Sequence, residues 1–395
     1  MRFRVVLLAA VFAACTSAPD VSPVPNTTTT PSTTTTGKVT TTTKPALLSL
    51  DGAPAAWEEA VQELYGPACG AERGAEIAAL ADLEEATDCP SQGRAAIAAW
   101  DDTVLAAAAI GADLVYGIDE GNGFEIVAVR LPSLGQEQGW YGEVPKVMVA
   151  VGSDARPNQD PNRSRADSIH LLALDGNGNG GVIGIPRDSW VRIAGAGNNK
   201  INASLSVGGP DVMMQTLHDV TGLDLDGYAL TGFVGFQEML GNVLGGVDIE
   251  LPSSVVDSAA GANLTAGRVY LNGPQALSLA RARKSLPSGD LTRQFNGGLL
   301  LLAALSSAQA YGPLHLPKLI ADSAPWISTN LTPAQLLQFS ALALVTPINA
   351  IGNRVAPGRI GTAGSASVVF LDESVQDLFA DLADGNLTPE ESVRG

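Results

Sequence analysis

Two aspartates and a set of arginines fall at the ends of apolar runs in the middle of the chain. Asp154-Ala155-Arg156 follows the run 147–151. Arg163-Ser164-Arg165-Ala166-Asp167 leads into 168–174, and Pro186-Arg187-Asp188 follows 182–185. Further on, Arg281-Ala282-Arg283 is succeeded by Asp290 and Arg293. Carboxylates beside guanidiniums suit a pyrophosphate. Asp154 and Asp167 could each give one oxygen to Mg²⁺, which takes phosphate oxygens and waters for its remaining ligands. The planar fork of arginine binds two oxygens and stays charged, so it could neutralise the rest and stabilise charge on a leaving phosphate. Arg281 and Arg283, two apart, would face one side in extended backbone. The same residue chemistry also fits surface ion pairs of small consequence, with Asp188 as a turn residue. There is no Gly-x-x-x-x-Gly-Lys-Ser/Thr loop, no Ser-His-Asp order and no zinc-ligand spacing. Gly208-Gly209-Pro210 could bind an anion at a helix N-terminus but reads more simply as a turn.

These groups need strands and loops to present them. The runs 147–151, 168–174 and 182–185 predict three strands, the last two joined by the Gly- and Asn-rich hairpin 175–181. Helices are expected at 210–220 and 233–244, then a strand at 247–251 and a helix with Pro274 at its first position. A long apolar helix covers 291–310, and Thr332-Pro333-Ala334-Gln335 is a capping box opening another. A strand at 367–371 closes the series, with Asp372 placed to cap a last helix. Strands interleaved with helices predict an α/β fold, an α-β-α sandwich around a central mixed sheet. Residues 48–140 read as a small, mainly helical accessory unit. Trp57, Val61, Leu64 and Tyr65 recur at helical spacing, as do Ile77, Leu80 and Leu83; 95–109 suggests a third helix and 124–129 a strand.

The N-terminus points outside the cytoplasm. Arg2 and Arg4 precede the apolar run 5–14, too short to span a membrane, for which about 20 residues are needed. It ends in Phe12-Ala13-Ala14-Cys15, which resembles a lipobox, so residues 1–15 are expected to be a lipoprotein signal with the lipid on Cys15. A plain secretory signal is the alternative. Residues 16–47 are a Thr-, Ser- and Pro-rich linker that can bury no core. Cys69 and Cys89 form an even pair, and an oxidising compartment predicts a disulfide between them. At 395 residues the chain exceeds one hydrophobic core. Its net charge of −18 argues against nucleic-acid binding. Within that acidic chain, residues 151–300 hold nine Arg and only two Lys; Arg suits bidentate phosphate recognition, and composition alone fits ordinary surface arginines equally well.

The linear order of the motifs resembles the LytR-CpsA-Psr domain. It is carried by Val149-Ala150-Val151-Gly152-Ser153-Asp154, Arg165-Ala166-Asp167-Ser168, Ile185-Pro186-Arg187-Asp188-Ser189 and Lys200-Ile201-Asn202-Ala203. Gly208-Gly209-Pro210, Leu244-Gly245-Gly246-Val247, Leu271-Asn272-Gly273-Pro274-Gln275-Ala276-Leu277 and Ala280-Arg281-Ala282-Arg283 continue it. The resemblance predicts a catalytic domain over 145–385, with 386–395 as a tail. It implies a Mg²⁺-dependent phosphotransferase acting outside the membrane; the family commonly has an N-terminal transmembrane helix, whose place the lipid anchor expected at Cys15 takes here. Such an enzyme passes a glycopolymer from a polyprenyl-pyrophosphate carrier to a peptidoglycan hydroxyl, and polyprenyl phosphate leaves. Carried over, Asp154 and Asp167 would hold the metal, and Arg165, Arg187, Arg281, Arg283 and Arg293 would grip the pyrophosphate. Arg187, Arg281, Arg283 and Asp290 would make the catalytic set, with Asp290 assisting acid–base chemistry. The prenyl chain would lie in an apolar tunnel walled by the helices around 212–217 and 233–244. Where the family usually carries Arg and then Gln after Arg293, this chain has Asn296 and Gly297. Loss of one phosphate contact costs at most a few kcal/mol of transition-state stabilisation. Two other functions fit the same residues: a non-catalytic lipoprotein binding polyprenyl-linked polymers, and a pyrophosphate hydrolase.

Overall fold

The computed structural model describes residues 48–73, 83–283, 286 and 288–387. The signal sequence with Cys15, the linker, the expected helix around Ile77 and Leu80, and residues 388–395 of the tail lie outside these.

Residues 48–140 are mainly strand, which corrects the helical expectation. β1 (Ser49–Asp51), helix α1 (Ala55–Tyr65), β2 (Gln92–Trp100), β3 (Thr103–Ile110), β4 (Asp113–Asp119), β5 (Phe124–Leu131) and β6 (Gln136–Trp140) follow in order. The six strands pair sequentially, β1 parallel to β2 and the rest antiparallel. Helix α1 buries Trp57, Val61, Leu64 and Tyr65, as their spacing predicts. Residues 95–109 are not a helix but the β2–β3 hairpin, pairing Arg94 with Ala109 and Trp100 with Thr103. Asp101 turns the chain with φ of 50°, a left-handed conformation that Asp tolerates. Alanine's helix propensity is worth only tenths of a kcal/mol per residue over most others. Here it yields to burial on both faces: Ala106 and Ala108 pack under α1, while Leu105 and Ala107 join the second domain's core. A strand buried on both faces loses the alternation by which sequence reveals it. Cys69 and Cys89, with Cα atoms 4.7 Å apart, are joined as a disulfide beside the α1 cluster.

The second domain opens with β7 (Lys146–Ser153), β8 (Ala166–Leu174) and β9 (Gly180–Gly184). A small hairpin, β10 (Trp190–Arg192) and β11 (Asn198–Lys200), leads to α2 (Ala203–Thr221), which breaks at Gly209 with φ of 79°. Next come β12 (Gly227–Thr231) and α3 (Phe233–Glu238), the latter continued by a π turn over Met239–Val243. β13 (Val247–Leu251), β14 (Val255–Asp257), β15 (Ala262–Leu264) and β16 (Gly267–Leu271) form two small antiparallel pairs, β13 with β16 and β14 with β15. Asn272 and Gln275 cap α4 (Gly273–Arg281) reciprocally. Then follow α5 (Asp290–Tyr311), α6 (Leu316–Ser323), β17 (Ser328–Thr329), α7 (Pro333–Val345), β18 (Ile351–Val355), β19 (Gly358–Ala363), β20 (Ala366–Leu371) and α8 (Val375–Leu382). The central sheet runs β17-β12-β7-β8-β9-β18 and is mixed, with β12 parallel to β7 and β18 parallel to β9. β12 and β18 carry no signal that the sequence reading found. The closing strand pairs with β19, outside this sheet, and Asp372 does not cap α8; its carboxylate accepts from Arg359 Nε at 3.1 Å.

Helices pack on both faces of the sheet. Val147, Val149, Ile169 and Leu171 meet Leu205, Met213 and Leu217 of α2 and Phe379 and Leu382 of α8. Met148 and Val182 face Leu316 and Ile320 of α6 and Leu336 and Leu337 of α7. The N-terminal sheet lays Leu105, Tyr116 and Val127 on that same α6–α7 layer, and Gln338 Nε2 donates to the Val127 carbonyl at 3.0 Å.

Helix α7 starts at the capping box foreseen from the sequence, with Thr332 Oγ1 accepting from Gln335 N and Gln335 Oε1 from Thr332 N. Replacing Thr332 by Ala is expected to lower stability by about 1 kcal/mol. Urea unfolding would read this as a lower midpoint at unchanged slope; an unmoved midpoint would show that the cap contributes nothing.

Candidate active site

The antiparallel pairing of β7 with β8 and of β8 with β9 brings the sequence clusters to one end of the sheet. Asp154 directly follows β7, Asp167 is the second residue of β8, and Arg187 follows β9. A bulge between Gly152 and Ser153 shifts the β7–β8 register at that end. Asp154 and Arg165 are joined by two bonds: Arg165 N donates to the Asp154 side-chain Oδ1 and Asp154 N to the Arg165 carbonyl, both at 2.9 Å.

Arg187 Nη1 donates to Asp167 Oδ1 at 2.5 Å, and its Nε lies 3.9 Å from Asp290 Oδ1. Asp290, in the first turn of α5, also pairs with Arg293 one turn on. The result is a chain of alternating charge, Asp167–Arg187–Asp290–Arg293, contributed by β8, the end of β9 and α5. Neighbouring Asp188 is drawn away to Lys200 Nζ at 2.8 Å. Burial pushes the Asp290 carboxyl above the usual carboxylate range, with Arg293 and Arg187 opposing. Arg187 Nε, Arg293 Nη2 and both Asp290 oxygens are buried without an aligned hydrogen-bond partner. Buried polar atoms are normally satisfied; Arg293 Nη2 and Asp290 Oδ1 are ion-paired with each other, which leaves Arg187 Nε, 3.9 Å from Asp290, as the buried donor open to an incoming anion.

Three members of the cluster, Asp167, Arg187 and Arg293, line a cavity of about 760 Å³. Asp167, Arg187, Arg281, Arg283 and Arg293 line it, and its remaining wall is predominantly apolar. Arg281 ends α4 with its guanidinium 5.0 Å from the Phe233 ring centroid, a cation–π contact. Arg283 follows in extended backbone after Ala282, its N–H held by Asp257 Oδ2 at 2.8 Å. Phe233, Phe236, Met239, Leu240 and Leu244 line the cavity, as expected of the helix at 233–244. The helix at 212–217 does not: Met213 and Leu217 belong to the core on the opposite face. The side chain of Arg165 is exposed, outside the ion-pair chain.

Two participants escaped the sequence reading. Asp257 lines the cavity and holds the Arg283 backbone; a lone acid ending a three-residue strand leaves no recognisable pattern. His170 is fully enclosed in β8, its Nε2 2.8 Å from the Gln294 carbonyl and its Nδ1 3.1 Å from Ser168 Oγ. A signal existed here, because Ser168, His170 and Leu172 alternate towards the cavity while Ile169 and Leu171 face the opposite core.

A carbonyl only accepts, so His170 Nε2 carries the proton and Nδ1 accepts from the Ser168 hydroxyl. Burial, aided by the Arg293 charge and opposed by the Gln294 carbonyl, pushes the imidazole down to about 4. In the unfolded chain it titrates near its ordinary value of about 6.5, so between these pH values the unfolded state binds the extra proton. This contribution to stability is complete above about 6.5 and is lost as pH falls through about 4, by up to ~3 kcal/mol. Acid unfolding of the wild type and of His170→Gln would check it. The variant should lose less stability over that window, and parallel curves would remove His170 as the cause.

Comparison with known proteins agrees with this architecture. Residues 140–381 match the model of the LytR_cpsA_psr family. The chain is 34% identical over 179 residues to the probable cell wall biosynthesis protein LcpB of Corynebacterium glutamicum, covering 42% of this chain and 43% of that protein. It is 30% identical over 179 residues to the polyisoprenyl-teichoic acid–peptidoglycan teichoic acid transferase TagV of Bacillus subtilis, covering 43% of this chain and 46% of that one. These matches thus span somewhat less than half the length of either relative. The crystal structure of B. subtilis TagV superimposes with a TM-score of 0.52 at 25% identity, covering 63% of this chain and all of that one. TagT bound to LI-WTA shares the fold, with a TM-score of 0.51 at 19% identity over 62% of this chain and 92% of that one. With a family match spanning most of the second domain, the chain belongs to the LytR_cpsA_psr family.

Proposed function

We propose that this protein transfers a glycopolymer from a polyprenyl-pyrophosphate carrier to peptidoglycan on the outer side of the cytoplasmic membrane. The observation that carries this reading is the junction of an apolar cavity with an under-satisfied arginine cluster. A prenyl pyrophosphate has the same two parts, an apolar chain and an anionic head. TagV, the relative at 30% identity, is named for transfer of teichoic acid from a polyisoprenyl carrier to peptidoglycan. In the proposed reaction the acceptor hydroxyl oxygen bonds to the phosphorus on the glycopolymer side. The bridging P–O bond breaks, polyprenyl phosphate leaves with its electron pair, and the hydroxyl proton passes to a base or to water.

Arg187 would bind the pyrophosphate through its unpartnered Nε, with Arg293 beside it and Arg281 and Arg283 closing on it from the cavity wall. Asp290 orients Arg187 and Arg293, and its burial-raised carboxyl lies in the direction that acid–base assistance needs. Arg165, exposed beside Asp154, would contact the head group from outside.

Among the described residues no group of three or more His, Cys, Asp or Glu is arranged to hold a metal ion. Mg²⁺ does not require one, because it commonly takes one or two carboxylates together with substrate phosphate oxygens. Asp154 and Asp167 fit this: each is a hard oxygen donor with one oxygen engaged, by Arg165 N and by Arg187, and a second oxygen available. Bound there, the cation would neutralise charge on the phosphates.

The test is release of prenyl phosphate from a short prenyl pyrophosphate by the purified full chain, with Mg²⁺ and with EDTA. Release that needs Mg²⁺ and falls at least about a hundredfold in Asp167→Ala and Arg281→Ala is expected. Binding without release would instead favour a non-catalytic carrier of polyprenyl-linked polymers. Release that continues undiminished without peptidoglycan acceptor would favour a hydrolase.

We further propose that Cys15 carries the lipid that holds the protein at the membrane. Radiolabelled palmitate should enter the wild type and not Cys15→Ser; an unlabelled, soluble wild type would overturn the anchor.

A further inference from the structure

Helix α5 brings Asp290 and Arg293 to the site, yet both belong to its first turn, beside a helix start with no side-chain cap. What fixes that turn against Asp167 and Arg187 is therefore a question about contacts further along the helix. Two side chains from the sheet reach α5 carbonyls directly. His170 Nε2 donates to the Gln294 carbonyl at 2.8 Å, and Asn353 Nδ2 of β18 donates to the Phe295 carbonyl at 3.1 Å. Of the two, His170 lies on β8, the strand that carries Asp167, and its bond falls on the residue next to Arg293.

The space around this bond is specific to the residues present. A side chain at position 297 would place its Cβ 2.5 Å from His170 Cε1 and 2.8 Å from its Nε2. A side chain at Gly184 of β9 would meet Gln294 Cβ at 2.9 Å and His170 Nε2 at 3.2 Å. The imidazole thus occupies the volume that a larger residue at 297 would claim, and the helix lies against it through a glycine. Ser168 Oγ, 3.1 Å from Nδ1, fixes the ring from its other edge and lines the cavity next to Asp167.

We propose that His170 is a positioning residue of the pyrophosphate site, fastening the Asp290–Arg293 turn of α5 to the Asp167 strand, and that Gly297 is the space it requires. This deepens the reading of the site as a pyrophosphate site and rests on it. The replacement at 297 is then not a lost phosphate contact alone. It is half of a paired arrangement in which an internal imidazole sets the helix at its working distance from the sheet. His170 touches no reacting group. Its ring also lines the cavity, a wall that His170→Phe preserves, but its hydrogen bond acts through Asp290 and Arg293, so the step that bond serves is transition-state stabilisation by the arginines.

Four variants of the full chain in detergent test this: His170→Phe, His170→Gln, Gly297→Ala and the double His170→Ala/Gly297→Ala, with His170→Ala as the reference for the double. Phe fills the volume but makes neither hydrogen bond; Gln can still place an amide N–H near the Gln294 carbonyl. The expected result is that folded His170→Phe loses about tenfold or more in kcat for prenyl pyrophosphate cleavage, with KM within about threefold. His170→Gln should recover at least roughly a third of wild-type kcat. Gly297→Ala should depress Tm on its own and be relieved by His170→Ala, so that the two shifts are not additive. Wild-type kcat in His170→Phe, no recovery in His170→Gln, or additive Tm shifts would each overturn the proposal.

The Tm cycle requires no turnover, so it remains decisive for the packing if the wild type cleaves nothing and the functional reading fails. In that case calorimetry with inorganic pyrophosphate and Mg²⁺ decides the positioning role. Binding about tenfold weaker in His170→Phe upholds it, and unchanged binding removes it.

Discussion

Between α5 and the central sheet there is, at several points, no room for a layer of side chains. A Cβ at Gly297 or Gly298 would run into His170 of β8 or Asn353 of β18, and one at Gly184 of β9 into Gln294 of the helix. At this range polar side chains from the sheet reach the helix backbone itself. The close approach is a steric condition, met by hydrogen atoms where other residues carry carbon. Helix-borne Asp290 and Arg293 meet Asp167 of β8 and Arg187 of the loop after β9 because of it. Were α5 held off by ordinary side chains, the alternating ion-pair chain would open at the contact between Arg187 and Asp290.

That chain of charges is poorly designed for stability and well suited to a polyanion. Removing guanidiniums and carboxylates from water is costly, and the Coulomb attraction repays it only when every donor and acceptor is satisfied. Here several are not. A pyrophosphate would give the guanidiniums the acceptors they lack, and preorganised donors aimed at developing charge are the largest single contribution to many transition states. The apolar cavity behind them serves a different purpose. In the proposed reaction it would take the chain of an amphiphile without regard to its detailed shape, leaving specificity at the phosphate end to the arginines.

The N-terminal sheet has no part in this chemistry, but it is not a detached module. One of its faces is shared with α6 and α7, helices whose Leu316, Ile320, Leu336 and Phe339 also line the cavity. Its other face is closed by α1. The sheet therefore supports the outer wall of the cavity through a continuous hydrophobic core, a contribution to positioning that acts through packing alone.

Short-range chemistry was legible in the chain itself. The caps at Asn272 and Thr332, the helix faced by Trp57, Val61, Leu64 and Tyr65, and the three strands ending at Asp154, Asp167 and Arg187 all depend on residues a few positions apart. The order of motifs added the family. Partners distant in sequence were not legible. The alanine-rich stretch from 95 to 109 satisfies a helix as well as a strand by local preference, and burial of β3 on both faces, with β2 paired along it, decides for strand. The strands Gly227–Thr231 and Ile351–Val355 enter the sheet beside neighbours far away in sequence. Met213 and Leu217 have the composition of a tunnel wall but lie on the wrong face of the sheet to be one. Gly297 read as an absence, a side chain missing from a phosphate site. The imidazole that fills its place lies 127 positions earlier, in a strand where it looks like an intrusion. Residue types and spacing determine which chemistry is available. Distances between segments remote in the chain determine which groups meet, because tertiary packing alone sets them.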